Sequence, residues 1–261
     1  MDLNLTGKTA IVLASSSGLG KAIASELAKE GANVMLTSRS KDKLETAKNE
    51  ILKTATGKVE YTVTDISDAE SIKNLVEVTR STFGPISILV NNAGGPPSGT
   101  FEDFDDIAWQ KAFDLTLMSY IRTIREVLPD LKVNGGHILN NASSSIKQPI
   151  DGLTLSNVFR MGISGLSKSL SQELATDRIL VNTIGAGRIE TDRLLQLDSA
   201  KANKQGKTPQ EITEGMLQNI PFGRYGKPEE FAKVAVFLVS GANTYLTGQS
   251  LLVDGGMVKA F

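Results

Sequence analysis

Residues 8–31, KTAIVLASSSGLGKAIASELAKEG, decide the fold, because a strand pattern, a glycine- and serine-rich turn and a helix pattern follow one another without a break. Residues 8–13 form a short apolar, β-branched run, which is typical of a strand buried on both faces of a parallel sheet. Gly18 and Gly20 precede a helical pattern that closes at Gly31. Glycines in such a turn let backbone N–H groups approach a phosphate at the helix N-terminus, although a tight turn without a ligand has the same pattern. The stretch therefore indicates an α/β fold whose first turn binds a phosphate.

Strand and helix patterns alternate along the rest of the chain. Further strands are predicted at 33–37, 59–63, 88–90, 136–141, 179–184 and 250–256, and further helices at 42–54, 68–83, 109–133, 154–175 and 228–240. Strict alternation implies right-handed crossovers and a parallel sheet covered on both faces. We therefore predict an α/β fold with a single domain over residues 1–261, a doubly wound parallel sheet of Rossmann type with about seven strands and helices on both faces.

A polar segment interrupts this alternation after the predicted sixth strand. Residues 190–219 carry lysines and are only weakly periodic. They follow a strand end directly, and in such folds the ligand binds beside the carboxyl ends of the strands. We predict that 190–219 forms a mobile lid over the site.

The composition excludes several classes of function. Lys and Arg number 28 against 29 Asp and Glu, so we expect no nucleic-acid or membrane partner and instead a small-molecule substrate. The absence of cysteine and the single histidine exclude disulfides and a thiol nucleophile, and no metal site is expected. The N-terminus lacks a signal-peptide pattern and no run approaches about 18 apolar residues, so a cytoplasmic location is expected.

The end of the predicted second strand indicates the cofactor. Here the chain reads Ser38-Arg39-Ser40, with no acidic residue. In dinucleotide-binding folds an acid at this place binds the ribose hydroxyls of NAD, whereas an arginine accommodates the 2′-phosphate of NADP. A solvated surface arginine is the alternative interpretation. We expect NADP rather than NAD.

The stretch 140–160, NNASSSIKQPIDGLTLSNVFR, contains the candidate catalytic residues. A run of three serines leaves the predicted fifth strand, crosses a loop and enters a helix from about residue 154. Loops at the carboxyl ends of parallel strands are where such folds place ligands. The polar side chains of this stretch are therefore expected to face a substrate.

Several motifs in order along the chain resemble those of the short-chain dehydrogenase/reductase family. They are SSSGLGKAIA at 15–24, Asp65-Ile66, NNAG at 91–94, a serine after the fifth strand, GLSKSL at 165–170, VNTIGAGRIET at 181–191 and LTGQSLLVDGG at 246–256. The chain departs from the family's TGxxxGxG motif at Leu13 and Ala14, and Ala186 replaces a proline. The resemblance implies a homo-tetramer, or failing that a dimer. It also implies that the cofactor is bound by Arg160 and by fourteen other residues. These are Ser15, Ser17, Gly18, Leu19, Gly20, Ser38, Arg39, Asp65, Ile66, Asn92, Ala93, Gly94, Gly187 and Ile189.

The same resemblance implies where the family's four catalytic residues fall. The serine corresponds to Ser143, the tyrosine to Ser156, the lysine to Arg160 and the helix asparagine to Thr116. In the family the serine orients the carbonyl, the tyrosine protonates the developing alkoxide, and the lysine lowers the pKa of the tyrosine. A serine hydroxyl is a far weaker acid than a phenol, and arginine does not shuttle protons. We expect Ser143, Ser156 and Arg160 to be the catalytic residues, acting mainly by electrostatic stabilisation.

Other sources of an acid, and the absence of any reaction, stay open. Dienoyl-CoA reductases also have serine at the tyrosine position and take their acid from a site that corresponds approximately to Ser145. Neither place is matched by the tyrosines of this chain, which are Tyr61, Tyr120, Tyr225 and Tyr245. Lys147 either reaches the pocket or is solvated, and His137 is expected to be structural.

We therefore predict an NADP-dependent oxidoreductase that reduces a carbonyl by hydride transfer with an atypical active site. A 3-oxoacyl thioester is one candidate substrate. The alternatives are a catalytically silent NADP-binding protein and an enoyl or dienoyl thioester reductase.

Overall fold

The computed structural model describes residues 2–260, which form one sheet of seven parallel strands. The strands are β1 (Thr9–Val12), β2 (Asn33–Ser38), β3 (Val59–Val63), β4 (Ile88–Asn91), β5 (Gly136–Ser143), β6 (Ile179–Ala186) and β7 (Ser250–Val253). Their spatial order is β3-β2-β1-β4-β5-β6-β7, so the chain reverses direction across the sheet between β1 and β4. This is the doubly wound topology, and the predicted fold class is confirmed.

Helices cover both faces of the sheet. In the described part of the chain they are α1 (Gly18–Lys29), α2 (Lys41–Ile51), α3 (Ala69–Phe83), α4 (Asp106–Phe113), α5 (Ser119–Asn134), α6 (Thr154–Glu173), α7 (Asp192–Gln205), α8 (Pro209–Leu217) and α9 (Pro228–Leu238). Side-chain caps fix several starts. Asp68, for example, accepts hydrogen bonds from the first-turn N–H groups of α3. No helix among residues 2–260 is long and apolar enough to cross a membrane.

Alternate residues of the central strands pack into opposite layers. Ala10 and Val12 of β1 belong to the apolar cluster that includes α1, α2 and α9. Ile11 and Leu13 belong to the cluster that includes α3, α5 and α6. Because both faces of the central sheet are covered, a ligand has access only at the ends of these strands.

Several elements differ from their sequence-based predictions, among them the sixth strand, predicted at 179–184, which extends to Ala186 as β6. The helix predicted at 109–133 is instead α4 and α5, joined by a π-helical turn at Asp114–Met118. Its extra residue leaves the helical periodicity almost unchanged, so the pattern could not reveal it. The fifth strand is longer than predicted, because β5 continues to pair with β6 as far as Ser143. The segment 190–219, predicted as a weakly periodic lid, contains the two capped helices α7 and α8.

In the turn after β1, an alanine occupies a backbone conformation that glycine usually adopts. Ala14 has a φ of 47°, in the left-handed region, and Gly18 has a φ of 56°. A left-handed alanine costs about 1 kcal/mol or more, whereas glycine adopts this conformation freely. The altered motif therefore changes the strain in this turn and retains its path.

His137 lies near the amino end of β5, at the opposite end of the strand from Ser143. Its Nε2 lies 3.3 Å from the carbonyl oxygen of Asn243. Burial is the main cause that lowers the pKa of His137. These contacts agree with a structural histidine.

Candidate active site

A cleft of about 500 Å³ lies along the carboxyl ends of the strands, where the fold class predicts a ligand site. Most of the predicted site residues line it. They are Ser17, Gly18, Leu19, Ser38, Arg39, Asp65, Ile66, Asn92, Ala93, Gly94, Ser143, Ser156, Arg160, Gly187 and Ile189. The structure therefore brings together residues from widely separated motifs, while their individual roles stay predictions.

The N-terminus of α1 opens into this cleft. Ser17 precedes the helix, and its side chain makes no capping hydrogen bond to the first turn. The first N–H groups of a helix have no partner within the helix, and they carry positive partial charge. This end of the cleft is suited to a phosphate or pyrophosphate.

Two of the predicted cofactor contacts lie behind the lining and shape it. Ser15 is buried, and its Oγ donates to the carbonyl of Val12 at 2.7 Å and accepts from the N–H of Thr37 at 2.9 Å. At Gly20 a Cβ would come within 2.5 Å of the carbonyl oxygen of Ala14. Ser15 therefore joins β1 to β2, and Gly20 lets α1 pack closely against the turn.

At the end of β2, the side chain of Arg39 is available to bind a ligand. Ser38 Oγ is used locally, because it accepts from the N–H of Ser40 at 3.2 Å. Arg39 is exposed at the cleft and forms no ion pair within the described residues. On the neighbouring β3 end, hydrogen bonds from the side chain and backbone of Ser67 lower the pKa of Asp65, to which the charge of Arg39 adds. This arrangement fits the adenosine half of NADP, with a guanidinium for the 2′-phosphate.

A single backbone carbonyl organises the other end of the cleft. The oxygen of Asn141 accepts from Arg160 Nη1 at 3.1 Å and from the hydroxyl of Tyr120 at 2.8 Å. Arg160 Nε lies 3.3 Å from Ser156 Oγ. Ser156 and Arg160 are one helical turn apart on α6, and both are more than nine-tenths buried. The guanidinium is therefore held in place by neutral acceptors, and no carboxylate neutralises it within the described residues.

Tyr120 is a site residue that the sequence analysis missed. Its side chain is fully buried, and burial is the main cause that raises its pKa to about 12, against the opposing effect of Arg160. The hydroxyl therefore stays protonated at physiological pH and keeps donating to Asn141. Tyr120 lies one helical turn beyond Thr116, beyond the π-helical turn. That spacing is the signal that could have placed it beneath the site.

The remaining candidates have clear positions. Ser143 ends β5 at the cleft, and its Oγ accepts from the N–H of Ser145 at 3.2 Å. Ser145 and Thr116 are buried away from the lining. Lys147 is exposed outside the cleft. Asn157 bonds to the backbone of Ile150, so it positions the loop before α6.

Further lining residues come from neighbouring strand ends, from the π-helical turn, from the loop before α6, and from α7 with its N-cap. They are Ala14, Ser16, Thr64, Gly95, Pro96, Leu115, Asn141, Ala142, Leu153, Ala186, Thr191, Asp192, Arg193, Leu194 and Leu197. Those at strand ends follow from the fold rule. Those on α7 do not, because they reach the cleft only through the tertiary placement of the helix.

Comparison with known proteins agrees with this arrangement. The family model described as Enoyl-(Acyl carrier protein) reductase matches residues 13–258. The 3-oxoacyl-(acyl-carrier-protein) reductase FabG of Thermotoga maritima is 33% identical over 257 residues, which are 98% of this chain and 100% of the relative. Dehydrogenase/reductase SDR family member 4 of Oryctolagus cuniculus is 34% identical over 97% of this chain and 94% of the relative. L-Sorbose reductase from Gluconobacter frateurii, solved with NADPH and L-sorbose, is 34% identical and superposes with a TM-score of 0.94 over 100% of both chains.

The fold and the cleft define a dinucleotide-binding α/β protein. The chain belongs to the short-chain dehydrogenase/reductase family.

The end of β2 generates a test of cofactor choice. We expect Arg39→Ala to weaken NADPH binding about tenfold or more and to leave NADH binding nearly unchanged, because only NADPH presents a 2′-phosphate. Binding is measured by the change in nicotinamide fluorescence. Lys41→Ala, at an exposed lysine two residues away, is the control and should change neither affinity. Equal losses for both cofactors in Arg39→Ala would remove the basis for NADP preference.

Proposed function

We propose that this protein uses NADPH to reduce a carbonyl group to an alcohol. Its relatives are oxidoreductases of the same family, and the solved L-sorbose reductase holds NADPH. The observation that carries the proposal is the buried, unneutralised guanidinium of Arg160 in the same cleft as Ser143. A fixed positive charge beside a hydroxyl donor suits an oxygen that becomes negative during the reaction.

NADPH supplies the hydride when it is bound at this cleft. We infer that it is held by the α1 N-terminus, by Arg39 at the 2′-phosphate and by the side chains beside Asp65. The cleft offers each of these groups without rearrangement of the sheet.

Ser143 and Arg160 act on the substrate oxygen. The Ser143 hydroxyl donates a hydrogen bond to the carbonyl, and Arg160 stabilises the charge that develops on the oxygen. Ser156, in contact with Arg160, passes a proton from water to the alkoxide. No strong internal acid takes part. The rate enhancement that general acid catalysis supplies, roughly 10²–10⁴-fold, is therefore reduced. The family's Tyr-x-x-x-Lys pair is thus replaced by Ser156 and Arg160 in this proposal.

Tyr120 and Asn141 position Arg160. Arg160 on α6 and Tyr120 on α5 both donate to the Asn141 carbonyl on β5, so the guanidinium is held in one orientation. Preorganised charge of this kind needs no reorientation during the reaction.

The segment 190–219 is proposed as a lid. Leu194 of α7 packs in a small apolar cluster with Ile220 and Tyr225, which follow the segment, and Met216 and Leu217 of α8 pack against that cluster. Tyr225 also donates to Asp198, which pairs with Arg188 at the end of β6. These contacts attach the lid to the chain segments that flank it. Arg193, in the first turn of the lid, donates to the carbonyl of Pro96 on the opposite side of the cleft.

A screen separates this function from the alternatives. Purified protein is titrated with NADPH, and oxidation of NADPH is then followed with ketones, aldehydes, 3-oxoacyl thioesters and enoyl thioesters. Turnover of a carbonyl compound supports the proposal. Exclusive turnover of enoyl thioesters supports the thioester-reductase alternative. Tight NADPH binding with no turnover at all supports a silent cofactor-binding protein.

Exchange of the arginine tests the proposed chemistry. We expect Arg160→Lys to lower kcat/KM about tenfold or more, because a compact ammonium cannot keep both forked contacts. The double change Ser156→Tyr with Arg160→Lys restores the family pattern and should gain little activity if the site is specialised around arginine. Arg125→Lys makes the same exchange at an exposed position and should have no effect. A large gain in the double variant would mean that the site has merely decayed.

We propose a homo-tetramer in the cytoplasm, with a dimer as the fallback. Ile107, Val158 and Met161 are exposed apolar side chains on α4 and α6, with exposures of 63%, 49% and 51%. The edge strand β7 is only half-buried in the single chain. Light scattering at micromolar concentration should give four times the mass of the chain, and Met161→Glu should lower that mass. A monomer would contradict the proposal.

A further inference from the structure

The substrate end of the cleft carries two arginines. Arg160 comes from α6, and Arg193 comes from the first turn of α7. Both line the cleft, and neither has a carboxylate within 4.0 Å in the described part of the chain. Arg160 is buried and Arg193 is exposed, so an anion bound between them would offset the desolvation of Arg160 and could be exchanged with solvent beside Arg193.

Arg160 has donor capacity to spare. Nε and Nη1 each use one N–H group, on Ser156 and on the Asn141 carbonyl, out of the five N–H donors of a guanidinium. The side chain is only 7% exposed. A buried charge that contacts only neutral groups remains costly, and a ligand with negative charge would lower that cost.

Arg193 is anchored to the opposite wall. Its Nη2 donates to the carbonyl of Pro96 at 2.9 Å, and its guanidinium lies over Gly95, where a Cβ would come within 3.0 Å of the same nitrogen. Desolvation and, second, the charge of Arg160 lower the pKa of Arg193. Both guanidinium groups thus line the same cleft from different helices.

The acidic residues at the cleft do not neutralise this pair. Asp65 lies at the β3 end and is bonded to Ser67. Asp192 is exposed and lies in the first turn of α7, where a carboxylate is favoured by the helix dipole. Neither forms an ion pair with Arg160 or Arg193 in the described residues.

Apolar side chains also line the cleft beside these polar groups. Leu115, Leu153, Leu194 and Leu197 line it. An acceptable ligand therefore combines an anionic group with a short hydrocarbon part. The α1 N-terminus is the place suited to the dinucleotide's phosphates, and Arg193 contacts the Gly95–Pro96 segment after β4. Thr191, which caps α7 two residues before Arg193, lies beside Gly18 of that terminus.

We infer that the substrate is a small oxo acid, whose carboxylate is held by Arg193 while its carbonyl oxygen contacts Ser143 and Arg160. The inference rests on the proposed carbonyl reduction. A C–H bond forms at the carbonyl carbon from the hydride of NADPH, the π electrons move to the oxygen, and a proton from water completes the hydroxyl. The products are a hydroxy acid and NADP⁺.

The test compares each acid with its neutral ester. Levulinate and 2-oxohexanoate, each alongside its methyl ester, are offered to the NADPH complex, and both binding and NADPH oxidation are measured. We expect wild type to prefer at least one acid over its ester by about thirtyfold or more in kcat/KM. Arg193→Ala should raise KM for that acid by a similar factor with little change in kcat. It should leave the ester and the affinity for NADPH unchanged. Lys204→Ala, at an exposed lysine on the same helix, is the control.

Three results would overturn the inference. One is a wild type that treats acids and esters alike. Another is an Arg193→Ala variant that loses NADPH affinity by the same factor as acid affinity, which would assign Arg193 to the cofactor phosphates. The third is reduction of neutral carbonyl compounds only, which would leave the proposed function standing and remove the oxo acid. If no carbonyl compound is reduced, the proposed function fails, and Arg193-dependent binding of the acid to the NADPH complex still supports an anion site.

Discussion

The geometry of the cleft depends on the hydrogen bonds that converge on the backbone carbonyl of Asn141. Tyr120 and Arg160 both donate to this oxygen, from two helices on the same face of the sheet. The side chain of Asn141 donates to Asn92 Oδ1 at 2.7 Å, and Asn92 Nδ2 in turn donates to the carbonyls of Leu13 and Ala14. Hydrogen bonds of this kind contribute about 0.5–3 kcal/mol each, and the larger values belong to charged donors. One chain of contacts thus joins the glycine turn to the catalytic centre.

The proposed exchange of a tyrosine and lysine pair for Ser156 and Arg160 would change the kind of chemistry that the site can support. A guanidinium is always protonated, and serine is a poor acid, so neither delivers a proton as a phenol does. What the pair retains is a directed positive charge inside a protein wall, where electrostatic interactions are stronger than in water. We therefore attribute the proposed catalysis to charge stabilisation, and we infer that the second arginine, on α7, selects a substrate that carries negative charge.

Much of the fold could be predicted from the sequence, because each strand and helix of the sheet has its own periodic pattern and the order of motifs fixes their neighbours. Ser143, Ser156 and Arg160 were predicted from the resemblance to the family's motifs, and all three line one cleft. Tyr120 and Arg193 could not be found in this way. Tyr120 reaches Asn141 through a π-helical turn that leaves almost no mark on periodicity, and Arg193 reaches Pro96 only because α7 folds back over the sheet. Ser15 and Gly20 match the expected motif, yet their side-chain and close-packing contacts show that they support the turn from behind.

The pH dependence of kcat tests the central claim most directly. The ionisable residues that line the cleft are Arg39, Asp65, Arg160, Asp192 and Arg193. None of the lining residues is a histidine, cysteine, lysine or tyrosine, Tyr120 beneath them has a pKa of about 12, and His137 lies at the opposite end of β5. With NADPH and substrate saturating, kcat should therefore stay constant within about twofold between about pH 6 and pH 9. A clear titration of kcat in that range, lost on replacement of a cleft residue, would show a proton-donating group at the site and would contradict catalysis by fixed charge.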